Sequence, residues 1–123
     1  MSSVNETIAN YVAAWNETDS ERRRSIIERT WSADGSYLDA HREGQGHAAI
    51  DAMIAAVQQR FPGYRFRLCS GIEAHHDRVR FSWSAGGTDT APLFFAGTDF
   101  AVLAEDGRFR AVTGFTDAMP STV

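Results

Sequence analysis

Residues 93–117 decide the predicted fold, and they read LFFAGTDFAVLAEDGRFRAVTGFTD. Apolar and aromatic residues dominate both halves of this stretch, and Asp106-Gly107 between them is a dipeptide typical of a tight hairpin turn. The stretch therefore predicts two long antiparallel strands, over 93–103 and 108–117, joined by this turn.

Two segments upstream of this hairpin alternate between apolar residues and arginine or serine. Such alternation is typical of antiparallel strands that bury one face and expose the other. Together with the hairpin, they predict four strands in a meander. The apolar positions of the two segments are Tyr64, Phe66, Leu68, Val79, Phe81 and Trp83.

The first half of the chain is rich in alanine and predicts three helices. Residues 3–6 and 18–21 have the form of capping boxes, and apolar residues at helical spacing follow each of them. A third apolar stripe predicts a helix over about 47–60, which the Phe-Pro-Gly of 61–63 ends. The segment between the second and third helices predicts a turn at Asp34-Gly35, a short strand over 36–39 and a loop over 44–46.

The order of these elements is helix, helix, strand, helix and then four strands, which indicates an α+β fold. Because a sheet of this kind twists, it can curl around the helices and leave a cavity between the two layers. A length of 123 residues suits one domain, so the whole chain, 1–123, is predicted to form it. We therefore expect a curved antiparallel sheet packed against three helices from the N-terminal half.

Composition and charge exclude several classes of function. The net charge is −4 and all 12 cationic side chains are arginine, so lysine Schiff-base and phosphate-loop chemistry are excluded. An acidic chain with scattered arginines disfavours nucleic-acid binding, and no apolar run is long enough to cross a membrane. The single cysteine, Cys69, cannot form an internal disulfide, and the acidic N-terminus is unlike a signal peptide. We expect a cytoplasmic protein.

Asp99 breaks the pattern of the strand in which it lies. Aspartate is depleted in strands, and burying its charge is costly. Positions that break a local rule are often functional or strained, which makes Asp99 a candidate acid or base. The alternative is that Asp99 faces solvent or pairs with an arginine such as Arg80 or Arg110.

A second carboxylate, Asp39, follows Tyr37 by two residues, so both are predicted to share one face of a strand that His41 would continue. This arrangement suits a general base with polar partners inside a pocket. The alternative is a group of polar residues at a strand end that face solvent. Tyr11 lies on the apolar face of the first helix, where it is either a core residue or a hydroxyl donor into a cavity.

Neither a metal nor a cofactor is predicted. Asp39 and His41 could both bind a metal ion, but two ligands are too few for a site. Residues 44–49, GQGHAA, have the form of a dinucleotide-binding glycine motif. The strand that follows lacks the acidic residue which that motif needs, and the rest of the chain is a meander rather than a βαβ repeat. The glycines are therefore assigned to a turn and a helix start.

Several stretches resemble the nuclear transport factor 2-like (NTF2-like) superfamily, and most closely its SnoaL-like and ketosteroid-isomerase-like members. They are YVAAWN at 11–16, WSADGSYLD at 31–39, GTDF at 97–100, EDGR at 105–108 and FTD at 115–117. The resemblance covers nearly the whole chain. It implies a cone-shaped fold with an apolar cavity, and often a homodimer, for which the exposed sheet face near Phe66, Phe81 or Phe94 is the candidate surface.

The resemblance also implies a chemistry. Ketosteroid isomerases use an aspartate base, together with a tyrosine and a protonated aspartic acid that donate hydrogen bonds to an enolate oxygen. Asp39 takes the position of the base, and Tyr11 and a neutral Asp99 take those of the donors. The expected pocket walls are Trp15, Tyr37, His41, Trp83 and Phe115.

These residues favour a cofactor-free isomerase or cyclase that moves a proton on a small apolar compound with an enolisable carbonyl group. Two alternatives stay open. The first is a non-catalytic ligand-binding or dimerisation domain. The second is a hydrolase or dehydratase in which Asp39 and His41 activate a water molecule.

Overall fold

The structure, a computed structural model, describes residues 3–69, 71–86 and 94–118. Its elements in chain order are α1 (Val4–Asn16), α2 (Ser20–Thr30), β1 (Trp31–Leu38), β2 (Glu43–Gln45), α3 (His47–Arg60), β3 (Arg65–Leu68), β4 (Glu73–His75), β5 (Arg78–Gly86), β6 (Phe94–Leu103) and β7 (Phe109–Ala118). This order confirms the predicted α+β fold. No helix within the described ranges is long and apolar enough to cross a bilayer.

Side-chain caps define where the first two helices begin. Ser3 caps α1, and its hydroxyl accepts a hydrogen bond of 3.1 Å from the backbone N–H of Glu6. α2 begins one residue later than predicted, because Asp19 rather than Thr18 is the N-cap and accepts from the backbone N–H of Arg22 at 3.0 Å. Aspartate and threonine are both good caps, so the local pattern could not separate two adjacent candidates.

The strands form one mixed sheet in the order β2-β1-β7-β6-β5-β3, and β4 also pairs with β5. The consecutive strands β5, β6 and β7 are antiparallel, as the meander predicted. β1 pairs with β7 in parallel, so the sheet is not antiparallel throughout. Side-chain alternation indicates which face of a strand is buried but not the direction of its neighbour, so the sequence could not reveal this pair. The sheet is curved and does not close.

β1 begins earlier than predicted, and Asp34-Gly35 lies within it rather than forming a turn. The register against β7 shifts between Trp31 and Ser36, so the strand absorbs the extra residues as a bulge. Gly35 is needed there, because a Cβ would lie 2.8 Å from Cδ1 of Trp31. The predicted loop over 44–46 contains part of β2, which pairs with β1.

The helices pack against one face of the sheet and cover its apolar side chains. Trp31, Phe81 and Phe109 are fully buried, and their rings lie 5.4 to 5.5 Å from the ring of Tyr11 on α1. Burying one such side chain contributes about 1.5–3 kcal/mol, so this cluster holds α1 on the sheet.

The other face of the sheet carries exposed side chains, including the arginines of β5. Phe81 is 1% exposed and Phe66 packs against a tryptophan of α1, so neither belongs to the outer face that was predicted as a dimer surface. Phe100 and Phe115 are exposed instead, by 39% and 61%. The side chain of Phe94 is not among those described. The homodimer and the cytoplasmic location stay predictions.

Candidate functional site

A cavity of about 760 Å³ lies between the sheet, α1 and the end of α3. Its wall is mostly apolar and contains many aromatic side chains, which suits a ligand with a large apolar surface. The aromatic lining residues are Tyr11, Trp15, Tyr37, Phe61, Tyr64, Phe66, Trp83 and Phe95. Two carboxylates, those of Asp39 and Asp99, also line the cavity and occupy different surroundings.

Asp99 is the inner carboxylate, and it lies in the middle of β6. It pairs in register with Phe81 of β5 and with Gly114 of β7, and only 1% of its surface is exposed. One carboxylate oxygen, Oδ2, accepts a hydrogen bond of 2.5 Å from the Tyr11 hydroxyl. The other, Oδ1, accepts one of 3.0 Å from the indole N–H of Trp83. Two neutral donors therefore hold this carboxyl group.

Burial raises the pKa of Asp99 to about 6, against the hydrogen bonds from Tyr11 and Trp83, which lower it. No ion pair among the described residues involves Asp99. Of the alternatives for this residue, exposure to solvent is wrong, and Arg80 pairs with Glu73 at 3.0 Å instead. Asp99 therefore titrates close to neutral pH without a cationic partner.

Asp39 is the outer carboxylate, and it directly follows β1. Its Oδ1 accepts hydrogen bonds from the backbone N–H groups of His41 and Arg42, at 2.8 and 3.0 Å. Its Oδ2 accepts from the Tyr37 hydroxyl at 2.7 Å and from Nη1 of Arg42 at 2.8 Å. Four donors, one of them cationic, therefore contact the Asp39 carboxylate.

Each carboxylate has its own tyrosine. Burial raises the pKa of the Tyr11 phenol, and the charge of Asp99 raises it further. The Trp15 indole lowers this pKa to a smaller extent. Burial also raises the pKa of Tyr37, with smaller contributions from the charges of Asp99 and Asp39. Both phenols thus keep their protons at neutral pH and act as hydrogen-bond donors.

The two tyrosine–aspartate pairs meet at Gly114 on β7. A Cβ at this position would lie 2.9 Å from Oδ1 of Asp99 and 3.0 Å from the Tyr37 hydroxyl oxygen. Contacts this short require the neighbouring atoms to move. Gly114 therefore leaves the space in which the inner and the outer pair approach each other.

Trp15 supplies a buried hydrogen-bond donor to the cavity wall. Its side chain is 5% exposed, and its Nε1–H forms no hydrogen bond of normal geometry among the described residues; its neighbour is the Tyr11 hydroxyl, whose pKa it lowers. The ring packs against those of Tyr11 and Tyr37, at centroid distances of 6.3 and 5.4 Å. Buried donors are almost always paired in native proteins, so an unpaired one in a cavity wall is suited to an acceptor on a ligand.

The remaining predicted wall residues divide between the two faces of the sheet. His41 and Trp83 line the cavity, but Phe115 points away from it and is 61% exposed. Its neighbour Thr116 lines the cavity instead, because successive residues of a strand point to opposite faces. Arg42 is a site residue that was not predicted as one, because its contact with Asp39 depends on the path of a turn that no local pattern marks.

The described residues contain no group of three His, Cys, Asp or Glu side chains suited to a metal ion. The glycines of the 44–49 stretch have structural roles, Gly44 in close packing and Gly46 in a backbone conformation with positive φ. A Cβ on Gly44 would lie 3.2 Å from the backbone of Ala49, and Gly46, with φ of 85°, is the residue before α3.

Solved structures with this fold include a close relative. A candidate isomerase of the SnoaL-like family from Agrobacterium tumefaciens str. C58 is 40% identical, over 92% of this chain and 96% of that one, with a TM-score of 0.85. A candidate SnoaL-like polyketide cyclase from Jannaschia sp. CCS1 is 14% identical over 95% and 90%, with a TM-score of 0.71. An NTF2-like protein of unknown function from Exiguobacterium sp. 255-15 is 18% identical over 92% and 99%, with a TM-score of 0.74.

The last two similarities show the fold alone. No protein-family profile matches the sequence, and no curated protein matches it.

Proposed function

Since this chain belongs to the SnoaL-like family, we propose that it is an acid–base enzyme that moves a proton on a small, largely apolar compound with an enolisable carbonyl group. The observation that carries the proposal is Asp99, a buried carboxyl group in the wall of an aromatic cavity, with a pKa raised to about 6. A general base works best when its pKa lies near the working pH. Asp99 meets this condition, and no cofactor is needed for the step.

The proton carrier in this proposal is Asp99 rather than Asp39. An ionised carboxylate has about four lone-pair sites. Asp39 uses all of them on its four donors, whereas Asp99 accepts two hydrogen bonds and has lone pairs left for a substrate proton. The assignment of the base to Asp39, with Tyr11 and neutral Asp99 as donors, stays a prediction; the hydrogen bonds favour Asp99 as the base.

The step itself follows from these contacts. Above about pH 6, ionised Asp99 removes a proton from the carbon next to the carbonyl, and the electron pair of the C–H bond moves to the carbonyl oxygen. The unpaired N–H of Trp15 donates a hydrogen bond to that oxygen, which develops negative charge. Tyr11 and Trp83 keep the carboxyl group in place, and protonated Asp99 then returns the proton. The proton goes back to the same carbon in simple exchange, or to the far end of a C=C bond conjugated with the enolate, which completes an isomerisation.

The test is exchange of α-protons for deuterium in 2-tetralone, followed by NMR in D2O. Asp99→Asn removes the base and lowers the rate about 1000-fold, within the range for general-base catalysis. Asp39→Asn keeps the Asp99 carboxyl group, which transfers the proton. This variant should lower the exchange rate by less than about tenfold. The rate of the unaltered protein rises with pH through about 6, where Asp99 loses its proton.

Unfolding curves of both variants serve as the control for folding. The opposite order, with Asp39→Asn inactive and Asp99→Asn active, would return the base to Asp39. A rate no faster than that of buffer for the unaltered protein, with ligand bound, would favour the non-catalytic binding domain.

A further inference from the structure

We infer that the ligand of this cavity carries a carboxylate, which Arg42 and Arg60 bind at the mouth while the carbonyl group lies towards Asp99. The inference names the substrate class of the proposed site. Its second half, the position of the carbonyl group, rests on the proposed function. Its first half, the anion site, stands on the placement of the two arginines.

Arg42 and Arg60 stand on the rim of the cavity. Arg42 lies in the turn after β1, and Arg60 is the last residue of α3. Both line the cavity, and both also line a shallower recess of about 510 Å³ beside it, together with Val57. Residues shared by two adjoining hollows form the border between them, so Arg42 and Arg60 both lie on this border.

Both guanidinium groups have N–H donors that are available to a ligand. Arg60 takes part in no ion pair among the described residues, and its guanidinium carbon lies 5.6 Å from the centre of the Phe61 ring. Stacking of this kind orients the planar group and leaves its N–H donors free. Arg42 uses one nitrogen on Asp39, out of the five donors of a guanidinium, and its side chain is 32% exposed.

The charges around the cavity favour an anion at the mouth only. Arg42 already neutralises Asp39, so Arg60 and Arg65, which also lines the cavity, add positive charge to the cavity of a chain whose net charge is −4. Glu43, which lines the recess, forms no ion pair with either arginine within the described ranges. Deeper in, the wall is aromatic and contains Asp99, which would repel a second carboxylate.

This polarity orients an amphipathic ligand. A carboxylate can accept paired hydrogen bonds from guanidinium groups, and these charge-assisted bonds are about twice as strong as neutral ones. The apolar body of the ligand would then fill the aromatic part of the cavity. A neutral ligand would fill the same volume without using Arg60.

The test compares 6-acetyl-2-naphthoate with its methyl ester, which has the same enolisable body without the charge. Binding is measured at pH 7.5 by quenching of tryptophan fluorescence, because Trp15 and Trp83 line the cavity. We expect the carboxylate to bind at least tenfold more tightly than the ester. Raising the salt concentration from 50 to 500 mM should weaken the binding of the carboxylate and leave that of the ester unchanged.

Arg60→Gln should remove most of this preference without changing the affinity for the ester. Arg67→Gln is the matched control, since Arg67 is an exposed arginine of β3 that does not line the cavity, and it should change neither affinity. Equal affinities for the two probes, binding of neither, or equal losses in Arg60→Gln and Arg67→Gln would overturn the inference.

The same samples separate this inference from the proposed function, because exchange of the acetyl protons is measured independently by NMR. Preferential binding of the carboxylate without proton exchange would contradict the proposed function and support the anion site. Proton exchange with equal affinities for both probes would support the proposed function and contradict the anion site.

Discussion

The cavity contains two carboxylates with similar tyrosine partners and different chemistry. Tyr11 donates to Asp99 at 2.5 Å, and Tyr37 donates to Asp39 at 2.7 Å. The remaining donors differ: Asp99 has one neutral indole, whereas Asp39 has Arg42 and two backbone N–H groups. One carboxyl group therefore titrates near neutral pH without a cationic partner, and the other forms an ion pair with Arg42.

The difference follows from where each residue lies in the sheet. Asp99 is in the middle of β6, where the ladders to β5 and β7 use the backbone N–H groups, so only side chains can reach it. Asp39 lies just beyond β1, in a turn whose N–H groups have no ladder partner and point at its oxygen. An aspartate in the interior of a strand therefore meets only side-chain donors, whereas an aspartate at the end of a strand also meets backbone N–H groups.

The largest expected effect is on the pH dependence of stability. Burial raises the pKa of Asp99 from 3.8 to about 6, so between these pH values the native protein binds more protons than the unfolded chain. The free energy of unfolding therefore falls as pH rises through this window, by about 3 kcal/mol from this group, and the fall is complete near pH 7.

Urea unfolding at pH 4 to 7.5 measures this contribution as the difference between the unaltered protein and Asp99→Asn. The variant should lack the fall, and Asp39→Asn should keep most of it. Parallel profiles for the unaltered protein and Asp99→Asn would show that Asp99 has an ordinary pKa, and the contrast between the two carboxylates would be lost.

An intermediate effect is expected from Gly114→Ala. The added methyl group meets Oδ1 of Asp99 and the Tyr37 hydroxyl, so both pairs must move apart. We expect a loss of about 2 kcal/mol in the free energy of unfolding, as for an overpacked core, and a slower exchange reaction. Gly86→Ala on β5 is the matched control, because a Cβ there meets nothing within 4 Å.

Thermal and urea unfolding of both glycine variants provide the measurement. Equal stability of Gly114→Ala and Gly86→Ala would mean that the two pairs do not share this space.

The smallest effect is expected from Arg42→Gln. Asp39 would lose its cationic partner but keep Tyr37 and two backbone donors. Because this ion pair is partly exposed, we expect a loss of about 1 kcal/mol at pH 7. Arg80→Gln, which breaks a fully exposed pair with Glu73, is the control and should change stability by less than about 0.5 kcal/mol.

Denaturant unfolding at low and high salt checks this prediction, since salt should reduce the loss in Arg42→Gln. A loss of several kcal/mol would show that Asp39 depends on Arg42 far more than on its backbone donors.

The sequence by itself determined the parts of the structure that depend on neighbouring residues. Period-two alternation predicted β3 and β5, the apolar runs around the Asp106-Gly107 turn predicted β6 and β7, and helical spacing predicted the three helices. The cap at Ser3 is where the pattern placed it. The same local logic singled out Asp99, because a carboxylate in a strand between apolar residues is costly unless its surroundings compensate.

Only the tertiary structure decided which donors each carboxylate meets. Tyr11 and Asp99 are 88 residues apart in the chain, and the parallel pairing of β1 with β7 brings Asp39 to the same cavity. The unpaired indole of Trp15 and the two arginines of the mouth also have no local signature. Local patterns report propensity and burial, whereas a pKa and a binding site depend on groups that meet only after the chain has folded.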